Sequence, residues 1–176
     1  MERERVAFGV HLPVMRFNGR CPDSEEIREC AEGAEWHGFD FISVNDHLIF
    51  RTGWLDPLAS LAIAASATSK IGLGTSILNM VMRNPVVVSQ ALSSLDVLSS
   101  GRLFAGVGPG SHKPDYDACG LDFEERWPRF SESLEVLSRL WSGSPASYRG
   151  KFYNFENLDM EPKPVQRPHP PIWVGS

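Results

Sequence analysis

The stretch GFDFISVNDHL, residues 38–48, joins a buried-strand pattern to a sudden run of polar side chains. Phe39–Val44 is a short β-branched and aromatic run, which is typical of a strand buried in a parallel sheet. Asn45, Asp46 and His47 follow it directly. These residues form either an ordinary turn, in which Asp46 accepts backbone hydrogen bonds, or a ligand site, in which His47 donates or takes a proton near neutral pH.

The same unit recurs along the chain: a short apolar strand, a polar or glycine-rich break, and a capped helix. Two of the helices open on an N-cap residue followed by proline, at Asp56-Pro57 and Asn84-Pro85. Another opens at Asp23 with Glu26 three residues on, which is the spacing of a capping box. This alternation is typical of parallel βα units. The predicted strands are Val6–Leu12, Phe39–Val44, Ile71–Thr75, Arg102–Val107 and Ile172–Val174.

The last part of the chain adds one strongly periodic helix and an insertion. The helix carries apolar residues in steps of three and four from Trp127 to Trp141. A hairpin-like insertion is predicted at Tyr148–Leu158, followed by a proline-rich extended stretch at Pro162–Pro171. Four βα units and a fifth strand fit either an open doubly wound sheet or part of a (β/α)8 barrel. A whole barrel takes about 250 residues, so this chain of 176 is too short for one.

Composition and charge exclude several classes of protein. With 42% hydrophobic and 22% charged residues, the chain has the composition of a globular domain with one substantial core. Its 17 basic and 22 acidic residues give a net charge of −5 without a basic cluster, which argues against nucleic-acid binding. Its apolar stretches are far shorter than the roughly 20 residues of a membrane span. Three scattered cysteines, Cys21, Cys30 and Cys119, favour neither zinc nor disulfides and predict a cytoplasmic protein.

Parallel βα folds bind ligands beyond the carboxyl ends of their strands, where the loops converge. A dinucleotide fingerprint is not found there, because neither Gly72-Leu73-Gly74 nor Gly106-Val107-Gly108 has the required third glycine. No metal site is predicted, since positions 9 and 13 beside His11 are glycine and proline. Gly108-Pro109-Gly110 is either a simple strand exit or a place where a flat ring or phosphate approaches the backbone. The candidate positions are His11, Asn45–His47, Ser76–Asn79 and Gly108–His112.

Four long motifs resemble a known family. They are GFDFISVNDHL at 38–48, IGLGTSILNMVMRNPVVVSQALSSLDVLSSGRLFAGVGPG at 71–110, GLDFEERWPRF at 120–130 and PKPVQRPHPPIWVGS at 162–176. Together they resemble the bacterial luciferase-like monooxygenase superfamily, particularly its deazaflavin-dependent oxidoreductase branch. The resemblance implies a (β/α)8 TIM barrel, of which this chain supplies about the N-terminal half as a single domain over residues 1–176, truncated at the fifth strand. It also implies that coenzyme F420 or FMN binds at the C-terminal end of the strands.

The resemblance implies roles for particular residues. His47 matches the active-site histidine, and Asp46 matches the acidic neighbour that contacts the coenzyme. Ser76-Ile77 matches a bulge with a non-proline cis peptide against the coenzyme ring, and Gly108-Pro109-Gly110 matches the loop that passes the ring edge. The predicted catalytic residue is therefore His47, and the predicted cofactor-binding residues are His11, Asp46, Ser76, Ile77, Asn79, Gly108, Pro109 and Gly110.

The resemblance implies an oxidoreductase and leaves three functions open. The first is hydride transfer between F420 and an unknown small organic substrate, with His47 as proton donor or acceptor. The second is an FMN-dependent monooxygenase of the same superfamily, and the third is an inactive truncated chain that acts as a binding or assembly module. Ser111 stands where some sugar-phosphate members carry an acid, which argues against that substrate class. The two open sheet edges of a half barrel predict a homo-oligomer, or a fragment whose remainder is missing.

Overall fold

Short strands of β-branched and aromatic residues alternate with capped helices in the computed structural model, which describes residues 5–175. The strands are β1 Gly9–His11, β2 Phe41–Val44, β3 Gly72–Thr75, β4 Leu78–Asn79, β5 Leu103–Gly108, β6 Ala146–Arg149, β7 Asn154–Leu158 and β8 Ile172–Val174. The α-helices are α1 Ser24–Trp36, α2 Pro57–Ala67, α3 Pro85–Leu98, α4 Lys113–Cys119 and α5 Arg126–Ser142. The predicted alternation of strands and helices is confirmed.

The main sheet is parallel, and its strands follow one another in chain order. β1 pairs with β2, β2 with β3 and β3 with β5, while β8 lies on the opposite side of β5. β4 continues β3 after two intervening residues and pairs with the last two residues of β5. The predicted insertion forms a separate antiparallel hairpin from β6 and β7. Because the strands of the main sheet run the same way, their carboxyl ends meet at one edge.

Local side-chain chemistry starts three of the helices at the predicted residues. The Asp23 carboxylate accepts the Glu26 backbone N–H, and the Glu26 carboxylate accepts the Asp23 N–H, which completes a capping box. Asp56 and Asn84 cap α2 and α3 by accepting backbone N–H groups of the first turn through their side chains, and each is followed by proline. Such a cap stabilises a helix by about 1 kcal/mol. None of the helices within residues 5–175 is long and apolar enough to cross a membrane.

The first face of the sheet packs against the helices and holds the hydrophobic core. Ile42, Leu73 and Val107 point to this face from three adjacent strands and are almost completely buried. Burying a side chain of this size stabilises the fold by about 1.5–3 kcal/mol. Along this layer α1 contacts α2, α2 contacts α3 and α3 contacts α5, so the core runs continuously behind the strands.

The second face of the sheet carries an aromatic layer formed by Phe41, Phe104 and Trp173. Phe104 stacks on Trp173 with ring centroids 4.3 Å apart, and Phe41 meets Phe104 edge-on at 5.5 Å. The rings of Phe41 and Phe104 lie over Gly9 and Gly74 of the neighbouring strands, where an added Cβ would collide with them. Glycine at these two positions therefore makes room for the aromatic layer.

The first predicted strand is wrong in its extent. Val6–Leu12 was expected to pair throughout, whereas only Gly9–His11 pairs with β2 and Val6 is 68% exposed. Gly38, with a φ of +76°, turns the chain out of α1 shortly before β2 begins at Phe41. The Asp40 N–H still bonds the Phe8 carbonyl at 2.8 Å, but residues 5–7 have no neighbouring strand to pair with.

The other strands agree with the predicted ones to within two residues at either end, and the predicted fifth strand is confirmed as β8. It pairs with β5 from Ala105 to Val107. Helix α4 is not predicted by the sequence pattern, because its seven residues contain too few apolar positions for a helical period to show.

Candidate active site

His11, at the end of β1, is held by two polar residues of the next strand and its exit. Its Nδ1 lies 2.9 Å from the Ser43 hydroxyl, and its Nε2 lies 2.9 Å from Asn45 Oδ1. Since the Asn45 oxygen can only accept, the neutral imidazole carries its proton on Nε2 and accepts from Ser43 through Nδ1. The side chain of His11 is exposed, so this ring forms a fixed polar edge at the mouth of the sheet.

Asp46 is buried and is held on both sides by protein groups. One carboxylate oxygen accepts the Asn79 backbone N–H at 3.1 Å, and the Arg83 guanidinium contacts both oxygens at 3.0 and 3.2 Å. Arg83 also donates to the N-cap residue Asp56 at 2.9 Å. Burial alone would lower the pKa of Arg83, but its bonds to Asp46 and Asp56 raise it. Asp46 thus joins the exit of β2 to β4 and to the start of α2.

His47 turns away from Asp46 into an aromatic enclosure. Its ring lies 4.6 Å from that of Phe50 and 4.9 Å from that of Trp54, measured between centroids. Its side chain is 27% exposed. The Nδ1 atom is buried and has no hydrogen-bond partner within residues 5–175, so Nε2 is the nitrogen available to a bound molecule.

A buried acid on α4, Asp115, lies behind His47. Its carboxylate is 1% exposed and accepts the Ile49 backbone N–H at 2.7 Å. His47 Nδ1 lies 4.0 Å from one of its oxygens, and His112 Nδ1 lies 3.3 Å from the other. Two polar residues therefore lie near the predicted catalytic histidine: His112, from the candidate stretch Gly108–His112, and Asp115, which the sequence did not predict.

A cavity of about 420 Å³ opens between the strand ends and the first turn of α5. The Ser76-Ile77 peptide bond, which forms part of its wall, is cis. The volume of the cavity lies within the range of about 300–1,000 Å³ found for small-molecule sites. The cavity is lined by Ser76, Ile77, Pro109, Gly110, Ser111, Phe123, Arg126, Trp127 and Gly175.

Two glycines flank Pro109 where β5 ends beside this cavity, and neither has room for a side chain. An added Cβ at Gly108 would collide with Ile77 and lie 2.7 Å from the Gly175 carbonyl oxygen. Gly110, with a φ of +77°, packs its backbone against the Asn79 amide. The Tyr116 hydroxyl donates to the Pro109 carbonyl, and burial raises the pKa of Tyr116 to about 12. The phenol therefore stays neutral and fixes the loop.

The predicted site residues do not all line the same cavity. His11 faces a separate cavity of about 330 Å³, and His47 occupies the aromatic enclosure between α4 and the exit of β2. Asp46 and Asn79 are buried beneath the strand ends, and Gly108 packs behind Ile77. Their roles in coenzyme binding and catalysis stay predictions. The predicted residues that line the 420 Å³ cavity are Ser76, Ile77, Pro109 and Gly110.

Asp115 and Tyr116 were missed in the sequence because nothing local distinguishes them. Both lie on the short helix α4, and their partners, Ile49 and Pro109, belong to two different strand exits. One available signal was the spacing of His112 and Asp115, which places both side chains on the same side of one helical turn.

Parallel βα units whose strand ends share a glycine-edged cavity define an α/β protein of the barrel type, a fold in which ligands bind at the carboxyl ends of the strands. The family model for luciferase-like monooxygenases matches residues 6–176, and the chain belongs to this family. The family predicted from the sequence motifs is therefore confirmed.

Three known proteins illustrate the relationship. The F420-dependent glucose-6-phosphate dehydrogenase of Segniliparus rotundus is 34% identical over 170 residues, which is 92% of this chain and 49% of that protein. The crystal structure of monooxygenase RslO1 from Streptomyces bottropensis matches with a TM-score of 0.89 at 30% identity, covering 96% of this chain and 53% of that one. The coenzyme F420-dependent tetrahydromethanopterin reductase of Methanopyrus kandleri matches with a TM-score of 0.80 at 28% identity, covering 97% and 50%.

The comparisons confirm the predicted barrel-type α/β fold. The chain spans about half the length of the relatives it matches. Its parallel strands and helices therefore correspond to about half of such a structure.

Proposed function

We propose that the protein is an oxidoreductase that transfers a hydride between coenzyme F420 and a small organic substrate. The cavity at the strand ends carries this proposal, because the backbone wall at Ser76-Ile77 and the side-chain-free edge at Gly110 suit a planar ring. The F420-dependent relatives support the choice of coenzyme. When bound, F420 accepts or donates the hydride, while the protein supplies orientation and electrostatics.

The residues of this chain have distinct tasks in the proposal. Ser76-Ile77 and Pro109-Gly110 would hold the ring, since they line the cavity. His47 gives a proton to the substrate, or takes one from it, at Nε2, because its Nδ1 is buried. The predicted coenzyme contacts of His11, Asp46 and Asn79 remain part of the proposal.

The substrate class follows from the wall of the same cavity. Ser111 lines it, at the position where the sequence resemblance puts an acid in some sugar-phosphate members. We therefore propose a substrate other than a sugar phosphate, even though one relative is a glucose-6-phosphate dehydrogenase. We further propose a homo-oligomer that works in the cytoplasm as one barrel-type domain. The three cysteines, all of them unpaired, support a reducing compartment.

A monooxygenase that uses FMN is the second candidate, favoured by the similarity to RslO1. Such an enzyme shields its reactive flavin from water. Phe123 and Trp127 in the wall of the 420 Å³ cavity offer apolar cover for that purpose. A chain that binds neither coenzyme while folded would instead be the binding or assembly module considered as the third function.

Coenzyme titration separates these candidates. We expect purified protein to quench the fluorescence of added F420 at saturation, with FMN binding more weakly. Ser111→Trp should abolish F420 binding, because its indole fills the cavity. Ser66→Trp is the matched control, since Ser66 is exposed on α2 and does not line the cavity. Tighter binding of FMN would favour the monooxygenase, and binding of neither coenzyme by folded protein would contradict both enzymes.

His47→Gln tests the proposed proton transfer. With a panel of small alcohols and ketones, we expect turnover to fall about 100-fold, which is within the range for loss of a general acid or base. The dissociation constant for F420 should stay within about twofold, because His47 does not line the cavity. Unchanged turnover in the variant would remove His47 from the chemistry.

A further inference from the structure

The carboxylate of Asp115 is buried, but only one of its two oxygens has a hydrogen-bond partner within residues 5–175. Its side chain is 1% exposed, and an ionised carboxylate in that position is costly unless both oxygens have partners. One oxygen accepts the Ile49 N–H at 2.7 Å. The other, Oδ2, is buried and has no hydrogen-bond partner within the described part of the chain.

Two imidazole nitrogens close to this carboxylate also lack hydrogen-bond partners. Nδ1 of His47 and Nδ1 of His112 are both buried without a hydrogen-bond partner within residues 5–175. His47 Nδ1 lies 4.0 Å from Asp115 Oδ2, and His112 Nδ1 lies 3.3 Å from Oδ1. A movement of His47 by about 1 Å brings its Nδ1 within hydrogen-bonding distance. Catalytic hydrogen bonds are often this long before substrate binds and shorten in the complex.

The surroundings allow His47 little other freedom. Phe50 and Trp54 flank the ring at 4.6 and 4.9 Å, which leaves the Nδ1 edge directed at α4. The hydrogen bond from Ile49 to Asp115 fixes the loop that carries His47 to the same carboxylate. Asp115 therefore lies beside the side chain of His47 and bonds the backbone two residues after it.

We propose that Asp115 is a positioning residue for His47. It accepts a hydrogen bond from Nδ1–H and so fixes the tautomer that carries its proton on Nδ1, with Nε2 facing the substrate. His112 Nδ1 lies 3.3 Å from the other oxygen, which already accepts the Ile49 N–H, so Oδ2 is the oxygen left to accept from His47. The inference deepens the proposed function, since it assigns the group that orients the proposed proton-transfer residue. A carboxylate behind a catalytic histidine acts on tautomer and orientation without contacting the substrate.

The tautomer of His47 is the first measurement, because it does not depend on activity. Nitrogen-15 NMR of the wild-type protein, with the His47 signals assigned by their loss in His47→Gln, should show the Nδ1–H form when the ring is neutral. In Asp115→Asn, which keeps an oxygen for the Ile49 N–H, the Nδ1–H form should lose its dominance. Asp117→Asn is the control, because Asp117 is exposed on the same helix. A wild-type ring in the Nε2–H form would overturn the proposal, even if Asp115→Asn failed to fold.

Turnover gives the second measurement. Asp115→Asn should lower kcat about 10-fold to 100-fold with little change in KM, while Asp117→Asn should keep both. A melting temperature lowered in Asp115→Asn with the His47 tautomer unchanged would show a purely structural role and would also overturn the proposal. Failure of the wild type to bind or turn over F420 would contradict the proposed function alone, since the tautomer is read in the free protein.

Discussion

Two adjacent polar residues at the exit of β2 do different work. The sequence left a turn and a site as alternatives for Asp46 and His47, and in the structure the two side chains lie in different surroundings. Asp46 accepts the Asn79 N–H and binds Arg83, as a residue that fixes a turn would. His47 faces the other way, toward Asp115. The polar run was predictable because it follows directly on a strand. The different surroundings of Asp46 and His47 were not, since their neighbours Arg83 and Asp115 lie far along the chain.

Glu35 shows how strongly a single carboxylate can fix a loop. It accepts the backbone N–H groups of Ser69, Lys70 and Ile71, immediately before β3. Burial by itself would raise the pKa of Glu35, but the bonds from Ile71, Lys70 and Ser69 outweigh it and lower the pKa to about 2 from the ordinary 4.5. The carboxylate therefore stabilises the folded state in its ionised form.

We predict that Glu35→Gln lowers the free energy of unfolding by about 1–2 kcal/mol at pH 7. Because the pKa of Glu35 is lower in the folded state, its contribution is complete above about pH 4.5 and is lost as the pH falls toward about 2. The difference between variant and wild type should shrink over that range in urea titrations. Glu32→Gln, on the exposed side of α1, is the control. A difference that stays constant down to pH 2 would contradict the assignment.

Among the helices and strands, those boundaries were predictable that are determined by residues adjacent in the chain. The starts of α1, α2 and α3 were predicted because the cap residue and the helix it caps are adjacent in the chain. The extent of β1 was not, since a strand exists only where a neighbour runs beside it. The hairpin of β6 and β7 was predicted from local pattern, but its attachment to α5 was not, because it depends on residues distant in the chain. Glu132, for example, accepts the N–H groups of Phe152 and Tyr153.

Asp96 provides the corresponding test between elements, because it ties α3 to the extended segment before β8. Its buried carboxylate accepts the Val165 and Gln166 backbone N–H groups at 2.8 and 3.0 Å and the Gln166 side-chain amide at 2.6 Å. Asp96→Ala leaves these donors unpaired, and we expect a loss of about 2–4 kcal/mol in the free energy of unfolding. Denaturant titration measures it. Asp117→Ala, which removes only an exposed ion pair with Lys113, should change stability by less than about 1 kcal/mol.

For the whole molecule, repetition made the fold predictable. Each βα unit carries its own strand and cap signals, and counting them indicated a parallel βα fold, either an open doubly wound sheet or part of a barrel. The resemblance of the motifs to a known family favoured the barrel. The number of βα units could not predict whether the sheet closes into a barrel, because closure depends on what pairs with its outer strands. In the described residues β1 and β8 lie at the edges of the main sheet, and Trp173 on β8 is 53% exposed beside Phe104. An edge strand with exposed aromatic surface favours pairing with another chain.

We therefore predict that the 176-residue chain self-associates through the aromatic layer and the edge at β8. Light scattering after size exclusion should give a mass of at least two chains at micromolar concentration. Trp173→Lys should shift the protein toward monomer, because a charge would be buried in the interface. Trp36→Lys is the matched control, since Trp36 is 86% exposed at the end of α1, away from the sheet edge. A folded wild-type monomer at that concentration would contradict the prediction, and equal effects of the two variants would place the interface elsewhere.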